Sequence, residues 1–180
     1  MTIIRDARLS DAPGIARVHV ESWRTTYPGI MPQQHLDSLS LPGHEDTWAM
    51  RLTDDSQTRP HVLVAEAEGS EIVGFVSGGP SKTGDPEFGA EVYALYLLQS
   101  QQGRGLGRDL TRGIARRLAD DGHKTLLIWV NASNPARGFY EAMGGLNART
   151  GQREIRGVTY DDVGYGWNED AFRRLTEEKP

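Results

Sequence analysis

Apolar positions along the chain fall into two rhythms, short near-continuous runs that predict buried strands and three-to-four-residue steps that predict amphipathic helices. Thr2–Ala7 predicts a short strand. Ser10 can cap a helix whose first turn tolerates Pro13, since the N–H it lacks would have had no partner there. Ile15, Val18, Ser22 and Trp23 share one face of that helix, and Pro28-Gly29 ends it. Pro32 opens a short second helix with His35, Leu36 and Leu39; Pro42-Gly43 breaks the chain again before a helical stretch from Glu45 to Leu52. His61–Ala67 and Glu71–Gly78 predict a hairpin joined at Glu68-Gly69-Ser70. Gly79–Gly89 holds two prolines and three glycines and predicts a mobile surface loop. Val92–Leu98 predicts a buried strand, and Leu106, Leu110, Ile114 and Leu118 mark the apolar face of the helix after it. Thr125–Val130 predicts a further strand, Arg153–Trp167 two closing strands around Gly157, and Thr176–Pro180 a frayed tail.

Composition narrows the class. A chain of 180 residues without internal repeat or low-complexity tract predicts one domain with a substantial core. A net charge of −5 argues against a general nucleic-acid binder and is compatible with an amine substrate. No apolar run approaches membrane-spanning length, and Met1–Asp6 shows no export signal, so a cytoplasmic protein is expected. With no cysteine there is no disulfide, thiolate metal site or cysteine nucleophile. The five histidines are too scattered for a metal site, and no metal is expected.

The segment Gln102-Gly103-Arg104-Gly105-Leu106-Gly107 joins the strand at Val92–Leu98 to the following helix. A glycine-rich turn of this kind leaves successive backbone N–H groups uncovered and aims them, with the positive end of the helix dipole, at one point that suits a phosphate. The ending Gly-Lys-Ser/Thr of a P-loop is absent. Arg108 stands where a dinucleotide fingerprint would place its third glycine, and the following strand ends at Val130-Asn131 without the acidic residue such a site wants. Taken alone, the turn is equally a tight connection with solvated arginines.

The flanks extend the pattern. Gln102, Gly105 and Gly107 fill Gln/Arg-x-x-Gly-x-Gly/Ala, Glu91–Leu97 precedes it as a strand, Asn134-Pro135-Ala136-Arg137-Gly138-Phe139-Tyr140 looks like Asn-x-x-Ala-x-x-Phe-Tyr with one residue fewer between the asparagine and the alanine, and Met143-Gly144-Gly145-Leu146 makes a glycine turn. In order and spacing this resembles the GNAT superfamily of acyl-CoA-dependent N-acetyltransferases. The resemblance implies a single N-acetyltransferase domain over 1–180 with an α/β (α+β) fold, in which helices flank a central mixed, largely antiparallel sheet of about seven strands. It also implies acetyl-CoA as cosubstrate, with a small-molecule amine or a protein amino group as acceptor. Neither nucleic acid nor membrane is an expected partner, and a homodimer is compatible.

The same resemblance distributes roles. Gly103, Arg104, Gly105, Leu106, Gly107 and Arg108, with Gln102, would hold the coenzyme diphosphate, the two arginines adding charge-assisted contacts. Leu95 and Leu97 would pair their main chain with the pantetheine arm as if it were a strand, and the Leu97 N–H would stabilise the oxyanion. Asn134 would bond the arm while also serving as a helix N-cap. Tyr140 would protonate the departing thiolate, an ordinary phenol being protonated at neutral pH; packing explains it as simply. Glu91 matches the position of a general base and is also readable as a solvated strand-end carboxylate. Trp23 and Tyr93 are candidate acceptor contacts, although aromatics at such spacing are more often core. With no cysteine and no Gly-x-Ser-x-Gly elbow, direct transfer is expected. A non-catalytic acyl-CoA-binding or regulatory module is the alternative.

Overall fold

A computed structural model describes residues 2–56 and 59–177. The strands are β1 (Ile3–Asp6), β2 (His61–Glu66), β3 (Ile72–Pro80), β4 (Ala90–Leu97), β5 (Leu126–Asn131), β6 (Leu146–Ile155) and β7 (Val158–Trp167). The helices are α1 (Ala12–Thr26), α2 (Gln33–Asp37), α3 (Leu41–Thr53), α4 (Leu106–Asp120), α5 (Arg137–Ala142) and α6 (Glu169–Glu177). One sheet of seven strands runs in the order β1-β2-β3-β4-β5-β7-β6, as the expected α/β fold requires. Every neighbouring pair is antiparallel except β4 and β5.

Helices cover both faces. On one, α4 turns Leu106, Leu110, Ile114 and Leu118 onto Val92, Ile128, Tyr165 and Trp167, with Phe172 and Leu175 of α6 closing the cluster. On the other, Ile15, Ala16 and Val18 of α1 pack with Trp48 of α3 against Val64 and Phe75. These apolar faces are what the four-residue repeats encode.

Several expected boundaries move. The first helix starts after Asp11 rather than Ser10; the Asp11 carboxylate accepts the Arg8 backbone N–H at 2.7 Å and is held by the Arg5 guanidinium. Pro42-Gly43 does not break the chain. It lies in the first turn of α3, where proline removes no helical hydrogen bond, and the Ser40 hydroxyl accepts the Gly43 N–H at 3.2 Å. The first closing strand begins at Leu146 rather than Arg153. As a sheet edge it is mostly exposed, so its polar sequence lacks strand alternation, and the ladder to β7 alone defines it. The segment expected to be a mobile loop contributes Gly79 and Pro80 to the β3–β4 ladder and is pinned beyond them. Asp85 pairs with Arg149 at 2.7 Å, and Phe88 is buried against the bare backbone of Gly166. The tail expected to fray lies, from residue 178 onward, outside the described residues.

One local feature positions the site. The parallel pair β4–β5 has only three rungs, Ala90 with Leu126, Glu91 with Leu127 and Val92 with Ile128. From Ala94 to Leu97, β4 keeps its pairing to β3 and presents its other edge unpaired. The β3–β4 register slips between Ser77 and Gly78, leaving Tyr93 as the extra residue of a bulge where the strands diverge.

Candidate active site

The divergence opens a cleft of about 510 Å³, lined by Leu95, Leu97, Gln102, Gly103, Gly105, Gly107 and Arg108 on one wall and by Ala136, Phe139, Tyr140, Ala142 and Met143 on the other. Backbone conformation explains the glycines. Gly103 and Gly105 have φ of 72° and 86°, in the left-handed region that disfavours a side chain. Gly107 has an ordinary helical backbone but sits close in, a Cβ there coming 3.4 Å from both Leu97 Cδ1 and the Phe139 ring. Gly105 is the N-cap of α4, and the first helical hydrogen bond runs from the Asp109 N–H to the Gly105 carbonyl at 3.1 Å. The N–H groups of Leu106, Gly107 and Arg108 therefore precede the ladder, at the positive end of the helix.

The middle of the cleft is the free edge of β4. The Leu98 N–H bonds the Val73 carbonyl on β3 at 3.0 Å. Alternation along the strand then turns the main-chain groups of Leu97 and Leu95 away from β3, toward the cleft. The Leu97 carbonyl accepts from the Gln102 side-chain amide at 3.3 Å and from the Ser22 hydroxyl of α1 at 3.2 Å, which ties the strand end to both the glycine turn and the first helix. Both leucine side chains pack on the core.

Tyr140 stands on the opposite wall, 7% exposed. Its ring stacks on Tyr165 at 5.7 Å, and the Tyr165 hydroxyl is itself fixed by Glu141 at 2.7 Å and Arg137 at 3.1 Å. Burial, with a further push from Tyr27, raises the Tyr140 phenol well above its ordinary value, so it stays protonated at neutral pH. Asn134 is buried beside it, but Ala136, not Asn134, is the N-cap of α5. The Asn134 side-chain oxygen instead accepts the Ala136 N–H at 2.8 Å, making the turn that enters the helix, and its amide lies 3.5 Å from the Tyr27 hydroxyl.

Asn134 and the remaining candidates lie off the cleft lining. The Arg104 side chain is exposed and reaches Gln101 at 3.4 Å, and Leu106 turns into the core. Glu91 is not a solvated strand end: only 8% exposed, its carboxylate accepts the backbone N–H groups of Lys82 at 3.1 Å and Thr83 at 3.3 Å. Tyr93 donates to the Pro80 carbonyl at 2.5 Å, and burial together with Glu91 pushes its hydroxyl up to about 12. Trp23 packs on Tyr27 at 5.1 Å and His35 at 5.9 Å, beneath α1. Glu91 and Tyr93 adjoin one another through Lys82, whereas Trp23 packs in the separate cluster of Tyr27, Leu36 and Tyr160.

The sequence reading missed Phe139 and Met143 as cleft walls, Tyr27 as the neighbour of Tyr140 and Asn134, and Trp129. The Trp129 ring lies over the bare backbones of Gly151 and Gly164, where added Cβ atoms would meet it at 3.2 and 3.4 Å. Phe139 was readable as the neighbour of Tyr140 in the Phe-Tyr pair. Trp129 carried no signal, because its two glycines reach it only through strand pairing. A smaller hollow of about 270 Å³ lies between α2 and the β6–β7 hairpin, with His35, Arg156 and Tyr160 among its walls.

Chemically, the cleft offers an anion seat, an unpaired strand edge and a buried phenol along one line. Comparison with known proteins finds relatives along most of the chain. Residues 84–153 match the family described as FR47-like protein. The uncharacterized N-acetyltransferase YuaI of Bacillus subtilis (strain 168) is 38% identical over 167 residues, covering 93% of each chain. An L-methionine sulfoximine/L-methionine sulfone acetyltransferase of Pseudomonas aeruginosa is 26% identical over 78% of each chain. Among solved structures, the paia N-acetyltransferase of Thermoplasma acidophilum in complex with coenzyme A aligns with a TM-score of 0.69 at 19% identity, covering 91% of this chain and 98% of that one. The yncA structure of Salmonella typhimurium, with its cofactor acetyl-CoA, aligns with a TM-score of 0.70 at 18% identity, covering 100% of this chain and 96% of that one. Among the described residues no helix is long and apolar enough to cross a membrane.

Proposed function

The chain belongs to the GNAT superfamily of N-acetyltransferases, and from that premise we propose that it moves an acetyl group from acetyl-CoA directly to a primary amine within a ternary complex. One observation carries the reading: the glycine turn, the free edge of β4 and the Tyr140 phenol line a single cleft. The N–H groups from Gly103 to Arg108 bind the diphosphate, with Gln102 beside them and Arg104 and Arg108 supplying charge. The main chain of Leu95 and Leu97 pairs with the pantetheine amides, and Asn134 bonds the arm. The thioester then lies near the divergence of β4 and β5, its carbonyl oxygen toward the Leu97 N–H.

The acceptor approaches from the α1 side, past Trp23 and Tyr93. Glu91 takes the proton of the attacking amine, directly or through water, and Tyr140 returns a proton to the leaving thiolate. No covalent enzyme intermediate is needed; most of the acceleration comes from holding the two reactants in attacking geometry. The acceptor is a small-molecule amine or a protein amino group. The methionine sulfoximine acetyltransferase among the relatives supports the small-molecule side. Residues 1–180 act as one domain, in the cytoplasm and without a metal, and a homodimer is compatible with the uncovered outer edge of β6.

A steady-state assay of free CoA release over a panel of amines, paired with calorimetry of acetyl-CoA binding, tests the proposal. Acceptor-dependent release supports it. Binding without release to any amine identifies a non-catalytic acyl-CoA-binding module, and no binding rejects both.

A further inference from the structure

The chain contains three lysines, Lys82, Lys124 and Lys179. Lys82 stands beside the point where β4 and β5 part. Its Nζ lies 3.7 Å from the centre of the Tyr93 ring, a cation–π contact with the bulged residue of β4. That ring is fixed. Its hydroxyl is tied to the Pro80 carbonyl, and it lies against Gly79, where a Cβ would come 2.8 Å from the hydroxyl oxygen. The base of the lysine is held as well, since Glu91 accepts its backbone N–H. A primary amine is thereby kept over the first residue beyond the last β4–β5 rung, beside the carboxylate assigned to the acceptor's proton.

We propose that the Lys82 amine is itself an acceptor, so that without an external amine the protein acetylates its own Lys82. This rests on the transfer reaction of the preceding section. The Lys82 nitrogen attacks the thioester carbonyl carbon, an N–C bond forms and the C–S bond breaks. The nitrogen loses a proton to Glu91 or water, and the thiolate takes one from Tyr140, leaving Nε-acetyllysine and free CoA. Burial lowers the Lys82 ammonium below the usual lysine range, the nearby Arg51 adds to this and Glu91 partly offsets it. Lys82 is nonetheless exposed overall, and more of its neutral amine is present than on a lysine without these neighbours. Acetylation removes the cation from the Tyr93 face, so the modified chain presents a different acceptor entrance.

The test is to incubate the whole protein with acetyl-CoA and no amine, then follow intact mass and acetylated peptides. Holding the amine at the site should place at least about tenfold more acetyl on Lys82 than on Lys124, whose side chain is 72% exposed. The rate should not depend on protein concentration, Lys82→Arg should abolish the adduct, and acetyl phosphate, a non-enzymatic donor, should label Lys124 at least as well. Amine turnover with unmodified Lys82 overturns this inference alone. So does equal labelling of Lys124, or a rate that scales with protein concentration. Loss of both amine turnover and Lys82 labelling overturns the transfer reaction and this inference together.

Discussion

Gly74 and Leu97 face each other across β3 and β4, and a methyl group at Gly74 would overlap the Leu97 side chain. A residue on the covered side of the sheet thus governs where the edge of the cleft lies. Gly74→Ala should displace Leu97, costing about 1–3 kcal/mol of stability for the overpacking. Acetyl-CoA affinity should fall by about tenfold, each 1.4 kcal/mol being a factor of ten. Calorimetry and thermal melts check both; unchanged affinity in a destabilised variant would separate Leu97 from coenzyme binding.

Gly105→Ala forces a side chain into φ of 86°, with the added carbon 3.4 Å from the Arg108 guanidinium. The left-handed backbone should cost about 1–2 kcal/mol and splay the N–H groups of the turn. Gly122, φ 90°, lies in a turn away from the cleft with open space around it. Gly122→Ala should match the stability loss and leave acetyl-CoA affinity intact. Equal affinity losses in the two variants would reject the diphosphate seat.

Tyr140→Phe keeps the stacked ring and removes the proton. Turnover should drop by about a hundredfold or more, while the Kd for acetyl-CoA stays within about threefold because the main-chain contacts proposed to bind it remain. Parallel loss of kcat and affinity would make Tyr140 a packing residue.

Glu91→Gln should lower kcat/KM for an amine acceptor by about a hundredfold near neutral pH and recover part of that loss at alkaline pH, where the acceptor arrives unprotonated. The uncharged amide can still accept the Lys82 or Thr83 N–H, so the fold should persist. A pH–rate profile identical to that of the unaltered protein would confine Glu91 to anchoring the loop.

Much of this was legible beforehand because it is local. The glycine turn, the helix face of α4 and the Phe139-Tyr140 pair are encoded within a few consecutive residues. What escaped depends on residues distant in sequence. The Asn134–Tyr27 contact spans 107 positions, Trp129 needs glycines on two other strands, and β6 has no apolar alternation to announce it. Glu91 was placed on the correct strand end, but its burial follows from a loop that folds back over it.

Acid should unfold the protein along a predictable course. The Arg5 guanidinium holds the Asp11 carboxyl below its ordinary value of 3.8, and Arg149 does the same for Asp85. A lowered folded value favours the charged form in the native state. That stability is complete above the unfolded value and is lost as pH falls through the folded one. Asp162, raised by burial despite Arg153, contributes with the opposite sign. Burial holds the His19 imidazole down at about 3, so the unfolded chain takes up its proton first and urea midpoints should already fall as pH drops below about 6.5, then fall further below about 4 as the carboxylates protonate. Arg149→Ala should flatten only the part of the decline below about pH 4, and an unchanged acid limb in that variant would contradict the Asp85 assignment.

The three-rung seam between β4 and β5 leaves the sheet unfinished. A donor molecule laid along the open edge in the proposed way would supply the missing rungs, so the loaded protein should resist heat and proteolysis better than the empty one, by about 2.7 kcal/mol at a hundredfold excess over Kd. Abundance of the protein in a cell would then follow the supply of its own acyl donor: a starved cell would hold it in its most perishable form.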